Sequence, residues 1–227
     1  MKNIKRAGLM LALILISLPT FSQSIVNNEV GGWLMFFNRI RFHEKWSMHN
    51  EIQDRYYNVS GKGEQLLIRS GFNYHYSNQL WLTAGYGYIE NYPINDIGGS
   101  KLVEHRIWQQ GMYFHALGRV ALEHRGRMEQ RFIGDNYRNR VRYRLLATLP
   151  LNNFRMQPNT VFLAAYNEIF LHVENSPYDR NRLYGAAGYQ FTTGTNFQAG
   201  YMAQNFAGIT KGYLQLMLTS NLYLLGK

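Results

Sequence analysis

The sequence predicts an all-β protein: a single antiparallel up-and-down β-barrel of about 10–12 strands, of the membrane type, with a polar, Arg/Glu-lined interior. From residue 31 onward, segments of about ten residues alternate between apolar and polar side chains, and turn residues separate them. The chain also has 17 Tyr, 13 Phe and 4 Trp. Many of these aromatic residues fall near segment ends, as in the interfacial girdles of membrane barrels, and Trp33, Trp46 and Tyr76 are examples.

The N-terminal segment, residues 1–22, has the features of a cleavable signal peptide. A basic start is followed by the apolar run Leu9–Leu18 and by the small residues Thr20 and Ser22 at the −3 and −1 positions of a cleavage site. The apolar run is too short to cross a bilayer as a helix, which argues against an N-terminal membrane anchor. The predicted β-barrel domain is 23–227, exported to the outer membrane.

Eleven alternating segments follow the signal peptide. An even strand number is usual for bacterial single-chain barrels, so ten or twelve strands are expected. Longer polar loops fall near 57–63, 91–100, 174–179 and 205–211, and the first two are the expected external contact surface. The segments are 31–42, 46–56, 64–76, 80–90, 102–116, 119–132, 138–149, 160–173, 180–191, 196–204 and 212–224.

The segment "EHRGRMEQRF" (123–132) carries a charge at every second position. A strand would place these charges on one face, which in a membrane barrel faces the lumen. If Leu117-Gly118 is a two-residue hairpin loop, Ala116 pairs with Arg119, and opposite charges meet across the two strands. That register sets Glu104 opposite Arg131, Arg106 opposite Glu129, Trp108 opposite Arg127 and Gln110 opposite Arg125. The next loop sets Glu129 beside Arg140.

The predicted site is therefore a charge network in the lumen. Such long side chains would largely fill the bore and form an ionic core, although their positive excess also fits a passage for an anionic solute. Arg55, Arg69 and Glu51 are expected on the same face. The network consists of Glu104, Arg106, Glu123, Arg125, Arg127, Glu129, Arg131, Arg140, Arg142, Arg144, Glu168 and Arg182.

A set of motifs along the chain resembles the family catalogued as domain of unknown function 2490. The resemblance covers about residues 27 to 224 and implies a Gram-negative outer-membrane β-barrel without an assigned activity. It carries over no catalytic residues. The motifs are "EHRIWQQ" (104–110), "RGRMEQRF" (125–132), "RNRVRYRL" (138–145), "AYNEIF" (165–170) and "NRLYGAAGYQ" (181–190).

No spacing in the sequence recommends an enzyme, a metal or a cofactor. The chain has no cysteine, which excludes disulfides, thiolate metal sites and a lipid-modified cysteine. His105 and His124 fall on the predicted lipid face without a nearby serine, so a serine–histidine pair cannot be assembled. Glu168 could act as an acid or base in the lumen, but pairing with Arg144 or Arg182 is the expected role.

The predicted function is thus an outer-membrane barrel with a structural or interaction role and a largely plugged basic lumen. The net charge is +10, and 17 of the 24 basic residues are Arg, which suits fixed ion-pair networks. Outer-membrane lipids are the expected partners, and an exported protein has no expected nucleic-acid partner. The alternatives are a small anion-preferring channel, a lipid-modifying outer-membrane hydrolase or acyltransferase, and a soluble periplasmic β-barrel. The oligomeric state stays open.

Overall fold

The computed structural model describes residues 29–59, 61–94, 100–173, 177–206 and 208–225. The predicted signal peptide, residues 1–22, lies outside the described residues. No helix in the described part of the chain is long and apolar enough to cross a membrane. The strands are β1 (Gly31–His43), β2 (Trp46–Tyr56), β3 (Gly63–His75), β4 (Leu80–Asn91), β5 (Leu102–Leu117), β6 (Val120–Ile133), β7 (Asn136–Pro150), β8 (Thr160–His172), β9 (Tyr178–Gln190), β10 (Thr195–Phe206) and β11 (Ile209–Tyr223).

The eleven strands form a closed barrel in which each strand pairs with its neighbours in sequence. Ten of the pairs are antiparallel, and the closing pair, β1 with β11, is parallel from Gly31↔Tyr213 to Arg41↔Tyr223. Eleven strands lie within the predicted range of about 10–12, whereas the expectations of an even number and of an entirely antiparallel barrel are wrong. With an odd number of alternating strands the first and the last run in the same direction, so the barrel can close only through a parallel pair.

The hairpin between β5 and β6 differs from the predicted register by two residues. Leu117 pairs with Val120, and the turn consists of Gly118, with φ +62°, and Arg119. Glycine accepts this φ without strain because it lacks a Cβ. Glu104 consequently faces Ile133, rather than Arg131, as its direct cross-strand partner.

Both ends of the barrel carry short and long connections. We call one end the loop rim; its connections are 57–62, 92–101, 134–135, 173–177 and 207–208. We call the other end the turn rim; its connections are 44–45, 76–79, 118–119, 151–159 and 191–194. The long loop expected near 205–211 is absent, because β10 and β11 continue to pair up to Phe206↔Ile209.

The buried face of the strands is the inside of the barrel, since buried side chains from distant strands contact one another. The His49 ring of β2 lies 6.0 Å from the Trp108 ring of β5, and the Arg182 guanidinium of β9 lies 4.9 Å from the Trp33 ring of β1. Trp33 is only 3% exposed, so its predicted place in an outer girdle is wrong. Trp46 and Tyr76 are 42% and 69% exposed at the turn rim.

The interior has two unlike halves. Strands β1 and β8–β11 contribute an apolar and aromatic cluster, whereas the buried side chains of β2, β3 and β5–β7 are mostly charged or amides. The interior is thus only partly the ionic core that the sequence predicts. The cluster comprises Trp33, Met35, Tyr166, Tyr184, Met202 and Tyr213, with Phe37, Leu146, Ala186 and Met217 packed against it.

Candidate functional site

The structure places all twelve residues of the predicted charge network on the inner face of β5–β9. Nine of them are buried, and the other three, Glu123, Arg131 and Arg144, are partly buried. An inner face is expected from the strand alternation, since the even-numbered positions of β5 and β7 and the odd-numbered positions of β6 point inward. The network lies along the inside of the wall, from the loop rim to the middle of the strands.

Glu104, which is fully buried, binds two arginines. Arg131 donates two hydrogen bonds to its carboxylate, at 2.7 and 2.8 Å, and Arg106 donates two more, at 2.8 and 2.6 Å. The pair of Glu104 with Arg131, which the sequence predicts as a direct cross-strand pair, therefore exists as a diagonal contact. Arginine is long enough to span the diagonal between neighbouring strands.

Glu129 is the most connected carboxylate of the interior. Arg140 donates to it at 2.9 and 2.6 Å, as the sequence predicts, and Arg142 donates at 2.7 Å. Arg106 and Arg127 lie farther away, at 3.6 and 3.9 Å. Glu129 is fully buried, so the ion pairs and hydrogen bonds of these four arginines replace the water that its charge has lost.

Arg142 links Glu129 to a second carboxylate, Glu168 of β8. Arg142 donates to Glu168 at 3.1 and 2.8 Å, and Arg125 donates to the same oxygen at 2.7 Å. The sequence predicted Arg144 or Arg182 as partners of Glu168. The Nη1 of Arg182 lies 3.9 Å from the Glu168 carboxylate, whereas Arg144 pairs with Glu123. Two networks centred on Glu129 and Glu168 are thereby joined through one guanidinium.

A buried polar row crosses five consecutive strands nearer the turn rim, and it was not predicted. Asn73 donates to Ser47 at 2.9 Å, Thr83 donates to Asn73 at 2.8 Å, and Gln110 donates to Thr83 at 3.3 Å. Arg127 donates to Gln110 at 3.0 and 2.6 Å and ends the row. The residues of this row alternate along their strands in the same way as other inward-facing residues. The sequence therefore does not indicate that they contact one another, and only the three-dimensional register shows it.

Ser47 also forms a hydrogen bond of 2.9 Å with the Nε2 of His75, so a serine–histidine pair exists that the sequence did not reveal. Ser47 is fully buried and His75 is 6% exposed. A nucleophile needs access to a substrate as well as a base, and this serine has no accessible surface. The pair belongs to the polar row rather than to a catalytic site.

The two histidines considered for lipid chemistry lie on adjacent strands and contact tyrosines. His105 shares a hydrogen bond of 2.5 Å with Tyr86, and His124 shares one of 2.7 Å with Tyr143. Neither has a serine as a hydrogen-bond partner. Within the residues that the structure describes, no group of three or more His, Cys, Asp or Glu side chains could hold a metal ion.

A cavity of about 360 Å³ lies between the charged and the aromatic halves of the interior. Its lining reaches from Tyr57 and Tyr92 at the loop rim to Phe37 and Arg144 near the middle of their strands. Ten arginines and two glutamates line it. The arginines are Arg55, Arg69, Arg106, Arg125, Arg131, Arg140, Arg142, Arg144, Arg180 and Arg182.

The other end of the interior is packed with aromatic side chains. The Trp81 ring lies 4.3 Å from the His75 ring and 4.8 Å from the Phe114 ring, and the Arg39 guanidinium lies 4.7 Å over the indole. None of these four residues lines the cavity. The arrangement is that of a basic pocket towards the loop rim with packed side chains towards the turn rim.

Comparison with known proteins identifies a family without an assigned activity. A family model described as "Protein of unknown function (DUF2490)" matches residues 30–215. Neither a curated protein nor a solved structure matches the chain. The match spans β1 to the middle of β11, and thus nearly the whole barrel.

Proposed function

Because the chain belongs to the DUF2490 family, whose function is unknown, we propose a role from the barrel itself: an outer-membrane protein whose charged interior is a structural core. One observation carries this proposal. The barrel buries its charges inside and presents large apolar side chains on its outer wall. Membrane barrels have this distribution, because their outer wall faces lipid and their interior does not.

Apolar side chains predominate on the outer wall around the whole barrel. Exposed large apolar residues occur on every strand, and many lie near the middle of their strands. Contiguous exposed apolar surface of this extent is rare in soluble monomers. Examples, each between 40% and 56% exposed, are Leu34, Ile52, Ile68, Phe72, Leu82, Ile107, Met128, Val141, Leu163, Leu183, Tyr201 and Leu216.

Aromatic residues at both rims fit the headgroup regions of a bilayer. At the loop rim, Tyr88 and Tyr92 donate to Glu90 at 2.8 and 2.6 Å, and Lys101 pairs with the same carboxylate. The hydrogen bond to Glu90 raises the pKa of Lys101. At the turn rim, Trp46 packs 5.0 Å from Tyr74, and Tyr76 is exposed. Amphipathic rings of this kind favour the membrane–water interface.

A closed core is favoured over a passage for anions. Trp108 is fully buried in mid-barrel, 4.8 Å from the Arg127 guanidinium and 5.7 Å from that of Arg69. The indole and these arginines occupy the bore of the charged half, and the aromatic cluster around Trp81 packs the turn rim.

We assign no catalytic role, and the external loops near 57–63 and 91–100 serve as the contact surface in this proposal. Residues 60 and 95–99 of these loops lie outside the described residues.

Membrane fractionation tests the location. The protein should sediment with the outer membrane and migrate faster on a gel before boiling than after it, because a closed barrel resists unfolding by detergent. Recovery in the soluble periplasmic fraction would overturn the proposal. The core is tested by single-channel recording in planar bilayers, where a closed interior gives no steady conductance and a stable anion-selective current would favour the channel instead.

Two substitutions distinguish a barrel whose outer wall faces lipid from one whose outer wall faces water. Leu183→Arg places a charge on the outer face at the middle of β9, and it should block assembly into the membrane. Tyr76→Arg, at the turn rim, is the matched control and should assemble normally. In a soluble barrel both positions face water, so equal tolerance of the two variants would count against a membrane location.

A further inference from the structure

Two arginines of the cavity lie over the same indole without a close carboxylate partner. The Arg55 guanidinium is 4.0 Å and that of Arg182 is 4.9 Å from the centre of the Trp33 ring. Among the described residues, Arg55 forms no ion pair within 4.0 Å, and its hydrogen bonds go to the amide oxygen of Gln53 at 3.1 and 2.5 Å. Arg182 donates to Gln204 at 2.7 Å, and its nearest carboxylate, Glu168, is 3.9 Å away.

Three residues of the cavity lining also carry buried polar atoms that have no hydrogen-bond partner among the described residues. The Trp33 indole N–H has no hydrogen-bond partner although the residue is only 3% exposed, and the same holds for the Nη1 of Arg69, which is 6% exposed. Gln215, 1% exposed, has an unpartnered amide oxygen. An unpaired buried donor is costly, and within the described part of the chain no protein group offsets this cost.

Among the described residues, basic side chains outnumber acidic ones around the cavity. Ten guanidiniums and two carboxylates line it. Five further carboxylates pair with these arginines from outside the lining: Glu51, Glu104, Glu123, Glu129 and Asp179. Glu129 and Glu64 also pair with cations outside the lining, Arg127 at 3.9 Å and Lys211 at 3.8 Å, so within the described part of the chain twelve cations stand against seven carboxylates. Glu168 accepts from Arg125 and Arg142, and Glu64 accepts from Tyr213 at 3.1 Å through one of its two oxygens.

We infer that the cavity is a binding site for a small dissolved oxyanion, such as hydrogen phosphate or a hydroxycarboxylate. Its anionic oxygens accept hydrogen bonds from Arg55 and Arg182, which both line the cavity. Guanidinium groups suit phosphate and carboxylate because their fork of N–H donors matches two oxygens. The cavity lining reaches the loop rim, so the ligand enters from that side. This site does not depend on whether lipid or water surrounds the wall.

Calorimetric titration of the folded, lipid-free protein tests the site, with inorganic phosphate and citrate as probes and chloride at matched ionic strength as the reference. Saturable heat and a rise of the unfolding midpoint with probe concentration are expected, since a ligand that binds only the folded state stabilises it. Arg55→Gln and Arg182→Gln should each weaken binding by about tenfold or more, because each removes charged hydrogen bonds. Trp33→Phe keeps an aromatic ring beside the two guanidiniums and should weaken binding less.

Arg155→Gln is the matched control. Arg155 is an exposed arginine of the 151–159 turn at the opposite rim, so this variant changes the net charge equally and should bind like the parent. Arg55→Lys keeps the charge and should bind more tightly than Arg55→Gln, which separates loss of the site from loss of folding. Three results would each overturn the inference. The first is that the folded parent shows no saturable binding, and the second is that Arg155→Gln weakens binding as much as the site variants do. The third is that only a short-chain phosphatidic acid binds. Circular dichroism of each sample verifies folding.

Discussion

Glu129 and Arg142 form a buried ion pair of 2.7 Å, although they are not cross-strand partners. In the register of β6 and β7, Glu129 faces Arg140 and Arg142 faces Arg127. An arginine facing an arginine is unfavourable by itself. Here the long side chains lean along the strands, so that a carboxylate two residues away lies between the guanidiniums. The charged half of the interior is therefore a lattice of diagonal pairs and of direct ones such as Glu129 with Arg140.

Removal of the central carboxylate should strongly destabilise the barrel. Glu129→Ala leaves Arg106, Arg140 and Arg142 without their shared partner, and breaking a buried ion pair from one side costs about 3–5 kcal/mol. The urea midpoint of unfolding, followed by circular dichroism, should fall accordingly. Glu44→Ala, in the exposed 44–45 turn, is the control and should unfold like the parent. An unchanged midpoint for Glu129→Ala would show that the lattice contributes little to stability.

The mid-barrel indole fits only because glycines stand beside it. A Cβ on Gly85 would overlap the backbone oxygen of Ser70 and lie 2.5 Å from the Cζ2 of Trp108, and one on Gly71 would lie 2.8 Å from the same indole atom. Gly85→Ala should therefore lower the free energy of unfolding by about 1–3 kcal/mol through overpacking. Gly126→Ala is the control, since a Cβ there meets no atom within 4 Å. Equal midpoints for the two variants in denaturant titrations would contradict the packing of Trp108.

The parallel pairing of β1 with β11 can be tested with introduced cysteines, since the chain has none of its own. Leu34 of β1 and Leu216 of β11 are register partners on the outer wall. A Leu34→Cys/Leu216→Cys variant should form an intramolecular disulfide on mild oxidation, because paired positions of adjacent strands lie within disulfide range. Leu34→Cys/Leu222→Cys, shifted by six residues or about 20 Å along the strand, should not. Non-reducing gels distinguish the two variants, and a disulfide only in Leu34→Cys/Leu222→Cys would refute the parallel register of β1 with β11.

One arginine holds the long connection of the turn rim. The Nη2 of Arg119 donates to the backbone carbonyls of Pro150, Leu151 and Asn153 at 2.7, 2.8 and 2.9 Å. Arg119→Gln should loosen this connection and accelerate tryptic cleavage after Arg155. Arg138→Gln, an exposed position near the loop rim, is the control for loss of an arginine. Identical cleavage rates in limited proteolysis would mean that the three hydrogen bonds do not order the segment.

Period-two alternation was sufficient to predict eleven segments and the face of each charge, because an inner and an outer wall differ sharply in polarity at β2, β3 and β5–β7. It was insufficient for the register of β5 and β6. The sequence placed Leu117 and Gly118 in the turn, whereas the positive φ of Gly118 makes it the first turn residue and Arg119 the second. The rule that opposite charges face each other held for Glu129 and Arg140 but failed between β5 and β6, where Arg106 faces Arg131, since it ignores the length of arginine.

The aromatic half of the interior could not be predicted from the pattern of β1. Its residues Trp33, Leu34, Met35 and Phe36 are apolar on both faces, so alternation does not indicate which face is inside. The polar row ending at Arg127 and the cavity depend on contacts between strands that are distant in sequence. Such contacts follow from closure of the barrel, which no local pattern contains.

The odd strand number has a consequence for sidedness. Gly31 begins β1 at the loop rim and Tyr223 ends β11 at the turn rim, so the barrel delivers its first and last residues to opposite faces. A wall embedded in a bilayer would thus separate the two ends of the domain into different compartments. Any segment joined before Gly31 would share the compartment of the loop rim, and any segment joined after Tyr223 would share that of the turn rim. In an up-and-down barrel with an even number of strands, the first and the last residue instead lie at the same rim.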